Sequence, residues 1–535
     1  MSDNRVPVEA VLTAGDQAAL AACCAPGSGA AALPALARCL KDRFATELTL
    51  DKDVVVGFAA DQSNLPGRAQ ALARPASLHE CALVLYACQY AQIPVTVSGG
   101  RSNLTGSATP EGGVVLSTVR MLEPKPAVDA ARRVVHAPVG MILEDLRNEV
   151  LRQSGQALEY PVDPTSRADA SVGGTLACNA SGFVPGEKGA TRDWVEALDF
   201  LLPDGRLLRA RRGQFTSSNG SFELVDGATI TDLPVPRYPR PTIKNAGGPF
   251  SAPDGVMDFV DFVVGSEGLF GLVAACELRL APRPREHLDL FVPLPAEADA
   301  LKLYFFLRER CHGDFSGLAA LEYFGVNSRK YMEHEAALFR GGNQVAVYIQ
   351  VPLREQSLED AAGEWLETIE AADCHADAEA ILLLDTEQSR KTFLEARHSM
   401  PAKSLEVVQH HGTFTIMTDA AVPPEQFPAF LEFTHSELRR AGMDYLAFGH
   451  LGDCHLHFTL LPEKANLARG VELYDAIIAK AAALGGVYSG EHGTGKRKRK
   501  DFLRCYGPEA AAQVLRCKRA VDPHLLLNRG DVVEM

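Results

Sequence analysis

The stretch Pro94-Val-Thr-Val-Ser-Gly-Gly-Arg-Ser-Asn-Leu-Thr-Gly106 joins a short β-branched strand to a loop of small and polar residues. Residues 161–182 and 265–271 have the same glycine-rich character. Glycines let backbone N–H groups approach phosphate oxygens and curl around them. Since these loops contain no lysine, backbone dipoles rather than charge would hold the anion. Three such loops in one region favour a ligand cradle over plain turns.

The pattern around these loops predicts an α+β protein. None of the loops is a G-x-G-x-x-G motif that enters a helix, so the dinucleotide-fold fingerprint is absent. Residues 1–45 are rich in alanine and leucine and predict a helical lead. From about residue 50 to 285, short β-branched runs alternate with helices. Strands at 288–292 and 344–350 begin a second α+β domain.

Composition limits the class of protein. A chain of 535 residues is too long for one hydrophobic core, so several domains are expected. The net charge of −15 argues against a nucleic-acid binder. Twelve cysteines without a C-x-x-C run indicate reduced thiols in a cytoplasmic protein. The sequence has no window of 18 uninterrupted apolar residues, so no membrane-spanning helix is predicted.

The C-terminal third contains His450-Leu-Gly-Asp-Cys-His-Leu-His457. Residues 444–449 and 455–460 predict two strands with a turn between them. This hairpin would bring His450 and His457 side by side. Because His455 and His457 are two residues apart on one strand, they would face the same side.

The segment Ser489-Gly-Glu-His-Gly493 adds a carboxylate and a further imidazole. Imidazole nitrogens suit zinc or another late divalent ion, and Glu491 would complete a three-ligand site with an open position. We therefore predict one divalent metal ion at His450, His457 and Glu491, with zinc preferred and manganese or iron as alternatives. His492, beside that carboxylate, is placed to remove a proton from a hydroxy acid.

Several motifs together resemble those of a known flavoprotein family. PVTVSGGRSNLTG, PVDPTSRADASVGGTLACNASG and GSEGLFGLV look like the PCMH-type FAD-binding domain of the vanillyl-alcohol-oxidase-like flavoproteins. GHLGDCHLH, SGEHGTGK and VDPHLLLNRGDVV resemble the branch with D-lactate dehydrogenase, glycolate oxidase and D-2-hydroxyglutarate dehydrogenase. The resemblance implies a two-subdomain FAD-binding domain, an α+β cap domain for the substrate, and a C-terminal segment that returns to the flavin.

The resemblance also implies the cofactor residues. Some relatives carry a flavin-linking histidine where this chain has Ser102, so noncovalent FAD is implied. The residues implied to bind FAD are Ser98, Gly99, Gly100, Arg101, Ser102, Asn103, Leu104, Thr105, Gly106, Pro164, Thr165, Ser171, Val172, Gly173, Gly174, Asn179, Gly182, Gly189, Gly265, Glu267, Gly268 and Asn528.

The same family pattern supports His450, His457 and Glu491 as metal ligands and His492 as the general base. The chain departs from it at Cys454 and His455, where the family reads G-D-G-N-x-H. His455 is a candidate catalytic residue that reaches the metal or the substrate; as an alternative, it only fills the space of the asparagine. Thr459 stands where hydroxyglutarate enzymes tend to have asparagine, which argues against a dicarboxylate substrate.

Two further charged features have open interpretations. Arg397, in Phe393-Leu-Glu-Ala-Arg-His398, resembles the family's arginine for the substrate carboxylate, and its alternative is a helix-surface arginine paired with an acid. The run Lys496-Arg-Lys-Arg-Lys500 predicts a solvated face, with contact to an anionic membrane or an acidic electron acceptor as the alternative.

The expected domains are a lead at 1–45, an FAD-binding domain at 46–285, a cap domain at 286–490 and a completing segment at 491–535. The expected activity is FAD-dependent oxidation of a small D-2-hydroxy acid, with electrons passed to a quinone, a cytochrome or an electron-transfer protein. Alternatives are a flavin-bearing subunit of a larger oxidase complex and a same-fold alcohol or sugar oxidase. A homo-oligomer or complex subunit is expected.

Overall fold

The computed structural model describes residues 3–339 and 342–535. Its strands, in chain order, are β1 Arg5–Glu9, β2 Leu48–Thr49, β3 Ala71–Ala73, β4 Val95–Ser98, β5 Val114–Ser117, β6 Ala127–Asp129, β7 Val134–Pro138, β8 Leu158–Glu159, β9 Val195–Leu201, β10 Leu207–Arg211, β11 Ser221–Asp226, β12 Thr229–Pro234, β13 Leu272–Arg279, β14 Ala281–Pro282, β15 Glu286–Leu294, β16 Ala320–Phe324, β17 Val345–Leu353, β18 Leu382–Leu383, β19 Ile416–Met417, β20 Tyr445–His450 and β21 His455–Leu460.

The helices are α1 Ala14–Ala21, α2 Leu33–Phe44, α3 Lys52–Val55, α4 Leu78–Ala91, α5 Leu143–Gln153, α6 Val172–Cys178, α7 Thr191–Trp194, α8 Phe259–Val263, α9 Glu297–Arg310, α10 Glu335–Leu338, α11 Leu358–Ala371, α12 Glu387–His411, α13 Phe427–Arg440, α14 Leu467–Ala483 and α15 Arg499–Val521. Gly507, with φ 81°, breaks the helical path inside α15 just before Pro508. Among the described residues, no helix combines the length and apolar character that crossing a membrane requires. The cysteines are free thiols.

Besides the two-stranded pair β14-β8, the described part of the N-terminal half contains two larger sheets. One has the order β2-β3-β5-β4, with β3, β5 and β4 parallel. The other has the order β12-β11-β1-β10-β9-β13-β7-β6. It packs against α8 through aromatic rings, including Phe222 and Phe259, whose centroids are 5.1 Å apart. These two sheets correspond to the two expected subdomains, and the α+β prediction is confirmed.

The prediction of a purely helical lead is wrong at β1. This strand inserts into the second sheet, parallel to β11 and antiparallel to β10. Its side chains alternate between exposed and buried, with Val6 and Val8 inside. Five residues give too weak an alternating signal beside the long alanine-rich stretch, and only pairing with residues 200 positions later makes the segment a strand.

The third sheet, β18-β15-β17-β16-β20-β21-β19, belongs to the C-terminal half. The predicted hairpin is confirmed, because β20 and β21 pair antiparallel with His450 opposite His455 and Phe448 opposite His457. On the face that also carries Glu322 and His450, Phe393 of α12 stacks on Tyr348 of β17 at 4.3 Å between centroids. The sheet thus carries the histidines on a rigid element.

The C-terminal segment returns to the first sheet of the N-terminal half, as expected. The amide of Asn528 donates to the carbonyl of Val95 at 2.7 Å, and Val95 donates back to Leu526 at 2.9 Å. The return is held by Lys518, which is fully buried, pairs with Asp522 at 2.7 Å and donates to the carbonyls of Leu269 and Leu527.

We expect Lys518→Met to destabilise the fold strongly. The substitution leaves the Asp522 carboxylate buried without its counter-ion, which costs about 3–5 kcal/mol. The matched control is Arg516→Met in the same helix, which removes an ion pair with Glu509. The side chains of Arg516 and Glu509 are 57% and 73% exposed, so this pair contributes roughly 0–1 kcal/mol to stability. Thermal unfolding measures both, and equal midpoints for the two variants would contradict the role given to Lys518.

Candidate active site and flavin cavity

A cavity of about 380 Å³ lies between the glycine-rich loops and the hairpin of the third sheet. Residues from all three glycine-rich segments line it, together with His450, Glu491 and His492. The residues implied to bind FAD that line it are Gly99, Gly100, Arg101, Ser102, Asn103, Leu104, Pro164, Thr165, Ser171, Gly173, Gly174, Gly182, Glu267, Gly268 and Asn528.

Backbones approach very closely where the first two loops meet. A Cβ at Gly100 would lie 1.9 Å from the carbonyl oxygen of Asp169, and one at Gly99 would lie 2.2 Å from Oγ of Ser171. Ser171 caps α6 by accepting the amide of Gly174, and it also accepts the amide of Gly100 at 3.3 Å. The loops can therefore come together only where side chains are absent, which leaves backbone amides at the cavity wall. This arrangement fits a phosphate-bearing cofactor.

The other residues implied to bind FAD are not among the described residues that line the cavity. Asn179 accepts the amide of Arg192 at 2.9 Å, and a Cβ at Gly189 would lie 1.8 Å from the carbonyl of Val184. These contacts shape the loops. The residues outside the lining are Ser98, Thr105, Gly106, Val172, Asn179, Gly189 and Gly265.

Glu267 joins the third glycine-rich loop to the C-terminal part of the chain. Its buried carboxylate accepts the amides of Thr494 and Gly495, both at 2.8 Å, and the hydroxyl of Ser107 at 2.7 Å. Burial raises the pKa of this carboxyl above its usual range. Asn528 donates its side-chain amide to the Glu267 carbonyl at 3.0 Å. The flavin-side loops and the Gly493–Gly495 turn are thus one bonded unit.

The hairpin and the 489–493 segment bring the predicted metal ligands together. Nε2 of His450 lies 3.1 Å from one oxygen of Glu491, and Nε2 of His457 lies 3.0 Å from the other. The opposite ring nitrogens are anchored: Nδ1 of His450 lies 2.7 Å from Glu322, and Nδ1 of His457 lies 3.3 Å from the carbonyl of Thr418. Metal-binding histidines typically use their second nitrogen in this way.

The charge of this cluster also fits a cation. Burial would lower the pKa of His450, but the carboxylates of Glu322 and Glu491 outweigh burial and raise this pKa to about 9. Lys244 and His450 hold the pKa of Glu491 well below its usual range despite burial. The two carboxylates therefore attract positive charge to this point. Two imidazoles and a carboxylate converging at one point are a donor set for a divalent ion.

His492 lies at the edge of the same cluster. Its Nε2 is 3.4 Å from Glu491, its Nδ1 is 3.4 Å from Asp419, and its ring stacks on His457 at 5.4 Å. Asp419 is fully buried and also accepts from Ser489 at 2.6 Å and Lys498 at 2.7 Å. A carboxylate on one nitrogen holds the imidazole in a defined orientation, as a general base requires.

Arg397 is not among the described residues that line the cavity. Its guanidinium lies 4.1 Å from the ring of Phe183, which does line it, and pairs with Glu322 at 3.1 Å. The pairing with an acid agrees with the alternative interpretation, although the site is buried rather than on a helix surface. Through Glu322, Arg397 also supports His450.

The prediction of a solvated basic run is wrong for two of its five residues. Lys496 and Lys498 are each only 6% exposed and pair with Asp531 at 2.6 Å and Asp419 at 2.7 Å. Their positive charges compensate buried carboxylates around the cavity. Local composition could not reveal this, because both partners lie elsewhere in the chain.

Sequence reasoning missed three charged residues of this site: Lys244, Glu322 and Asp419. Lys244 is 4% exposed, and its Nζ lies 3.3 Å from Glu491 and 3.5 Å from Asp453. It follows the proline-rich segment 233–241, in which Tyr238 is buried. A lysine-asparagine pair after such a segment was the available signal for Lys244. The sequences around Glu322 and Asp419 are typical of ordinary strands and gave no such signal.

Comparison with known proteins gives the class. Residues 69–211 match a family described as FAD binding domain, and residues 324–532 match FAD linked oxidases, C-terminal domain. A D-lactate dehydrogenase of Anaerostipes hadrus is 27% identical over 505 residues, 90% of this chain and 94% of that protein. A D-2-hydroxyglutarate dehydrogenase of Xanthomonas citri pv. viticola is 27% identical over 480 residues, 87% and 89% of the respective chains.

The fold is shared with a solved structure of p-cresol methylhydroxylase with substrate bound. The TM-score is 0.67 at 14% identity, over 98% of this chain and 99% of that chain. The chain belongs to the FAD-linked oxidases with the PCMH-type architecture. It is an FAD-dependent oxidoreductase, so the predicted family, fold and enzyme class are confirmed.

We expect Gly100→Ala to lower the amount of FAD that copurifies with the protein. The added methyl group would collide with the Asp169 carbonyl and push the 98–106 loop away from α6. Gly317→Ala is the control, because a Cβ there meets nothing within 4 Å. The ratio of flavin to protein absorbance measures the effect, and a normal ratio in Gly100→Ala would reject this loop as part of the flavin site.

Proposed function

We propose that this protein oxidises a D-2-hydroxy acid of the lactate or glycolate type to the 2-oxo acid, assisted by a divalent metal ion. We further propose that FAD is bound noncovalently, since Ser102 lines the cavity at the place of the linking histidine in some relatives. Electrons leave to a non-nicotinamide acceptor. Relatives named D-lactate dehydrogenase and D-2-hydroxyglutarate dehydrogenase support the substrate class.

One observation carries the proposal: the wall of a single cavity contains both the glycine-rich loops and the His450, Glu491 and His492 side chains. A hydroxy acid in this cavity would have the flavin-side loops on one side and the histidine cluster on the other. A sugar or simple alcohol would not need the cationic groups nearby, Lys244 and Arg397, whereas a carboxylate would.

The proposed roles follow from these positions. His450, His457 and Glu491 hold the metal ion, which, when bound, supplies positive charge that lowers the pKa of the substrate hydroxyl. FAD, when bound, supplies a two-electron oxidant for the hydride of C2. His492 takes the hydroxyl proton, held in place through Nδ1 by Asp419.

For the substrate carboxylate we keep Arg397 as the candidate. Its Nε is buried and has no hydrogen-bond partner among the described residues. Phe183 stacks on its guanidinium and also lines the cavity, so Arg397 lies next to the cavity wall. Lys244 is a second cation within the same cluster, and it balances Glu491 and Asp453.

Substrate class is tested by a dye-reduction screen of the purified flavoprotein. We expect D-lactate or glycolate to reduce the dye, and L-lactate, sugars and primary alcohols to leave it oxidised. D-2-hydroxyglutarate serves as the dicarboxylate comparison. Reduction by sugars or alcohols alone would refute the hydroxy-acid proposal, because the cationic groups would then have no substrate partner.

Base and ligand roles are separated by adjacent substitutions. We expect His492→Gln to lower kcat by roughly 10²–10⁴-fold while FAD and metal contents stay normal. Glu491→Gln should lose the metal ion and keep FAD, since the carboxylate contacts both ligand histidines. His375→Gln, on an exposed side chain, is the control. Wild-type kcat in His492→Gln at saturating metal would rule out His492 as the base.

A further inference from the structure

We propose that His455 is a fourth protein ligand of the metal ion and binds it through Nδ1. The site would then offer three imidazoles and one carboxylate. This inference rests on the metal site proposed at His450, His457 and Glu491, and it adds a ligand that the three-ligand pattern lacks.

The position of His455 places it within the cluster. It opens β21 directly opposite His450 and two residues before His457, so all three imidazoles lie on one face of the hairpin. Its ring centroid is 5.4 Å from that of His450 and 4.8 Å from that of His457. One of its ring nitrogens lies within 4.8 Å of ligand atoms of His450, His457 and Glu491.

The hydrogen bonds of His455 determine its tautomer. Nε2 lies 2.9 Å from Oδ1 of Asp419. The other groups around Asp419 are donors, namely the ammonium of Lys498, the hydroxyl of Ser489 and the amide of His492, so this carboxylate acts as an acceptor. Nε2 therefore donates. Nδ1 has no hydrogen-bond partner among the described residues, so the ring proton stays on Nε2 and Nδ1 carries the free lone pair.

That lone pair is buried and unmatched. Nδ1 of His455 has no hydrogen-bond partner among the described residues, and the side chain is fully buried. A buried acceptor without a partner costs free energy. Gly490 packs closely against the ring, since a Cβ there would lie only 2.8 Å from its atoms. A cation beside the other ligands satisfies the lone pair without any rearrangement.

The three imidazoles then follow one rule. His450 and His457 anchor Nδ1 on protein acceptors and leave Nε2 for the ion, whereas His455 anchors Nε2 on Asp419 and leaves Nδ1. Anchoring of the second nitrogen is the usual support of a metal-binding histidine. A nitrogen-rich set favours zinc and neighbouring late divalent ions over magnesium.

X-ray absorption spectroscopy of the FAD-loaded, zinc-loaded protein tests the ligand number directly and needs no substitution. We expect a fit with three imidazoles. Two imidazoles would overturn the inference and leave the three-ligand site intact. Failure of the wild-type protein to bind zinc, manganese or iron would overturn the metal site itself, and the fourth ligand with it.

The variant His455→Asn tests the same point by affinity. We expect zinc affinity, measured by competition with a chromophoric chelator, to fall by at least about tenfold, with FAD content unchanged. The matched control is His435→Asn, another buried histidine whose two nitrogens contact Tyr445 and Glu297 away from the cluster. Unchanged zinc affinity in His455→Asn, with normal FAD content, would contradict the assignment. If the variant does not fold, the wild-type spectrum decides.

Discussion

The buried carboxylate of Asp419 is the point on which the active-site region depends. It accepts from an imidazole of the hairpin, from the hydroxyl of Ser489, from Lys498 and from the amides of Glu491 and His492. One ion thus connects the hairpin, the 489–493 segment and the start of α15. A buried anion is tolerable only when it is fully compensated, and here every donor that compensates it belongs to the site.

The sequence predicts features whose contacting residues are close together along the chain, and it misses those whose contacting residues are far apart. The hairpin was predictable because strand, turn and strand are contiguous, although its register sets His450 opposite His455 rather than His457. The glycine-rich loops were recognisable because small residues signal close backbone approach. Glu322 could not be found, since it lies 128 residues from the histidine that it contacts and nothing local marks it.

The wrong expectations have the same physical origin. Residues 5–9 are a strand only because β10 and β11 flank them, and the basic run is partly buried only because Asp419 and Asp531 lie opposite. In both cases a tertiary partner overrides the local tendency. Arg397 shows the intermediate case: the sequence singles out the residue, whereas its neighbours Glu322 and Phe183 became visible only in three dimensions.

The return of the C-terminus to β4 has a consequence for biosynthesis. A ribosome adds residues in order and domains fold as they emerge, yet the wall of the flavin cavity includes Asn528, whose side chain accepts from Val97, 431 positions earlier. The cavity therefore cannot close until the segment around Asn528 has been synthesised. Until that segment docks, β4 lacks its partner at Leu527 and leaves an edge of the first sheet unpaired.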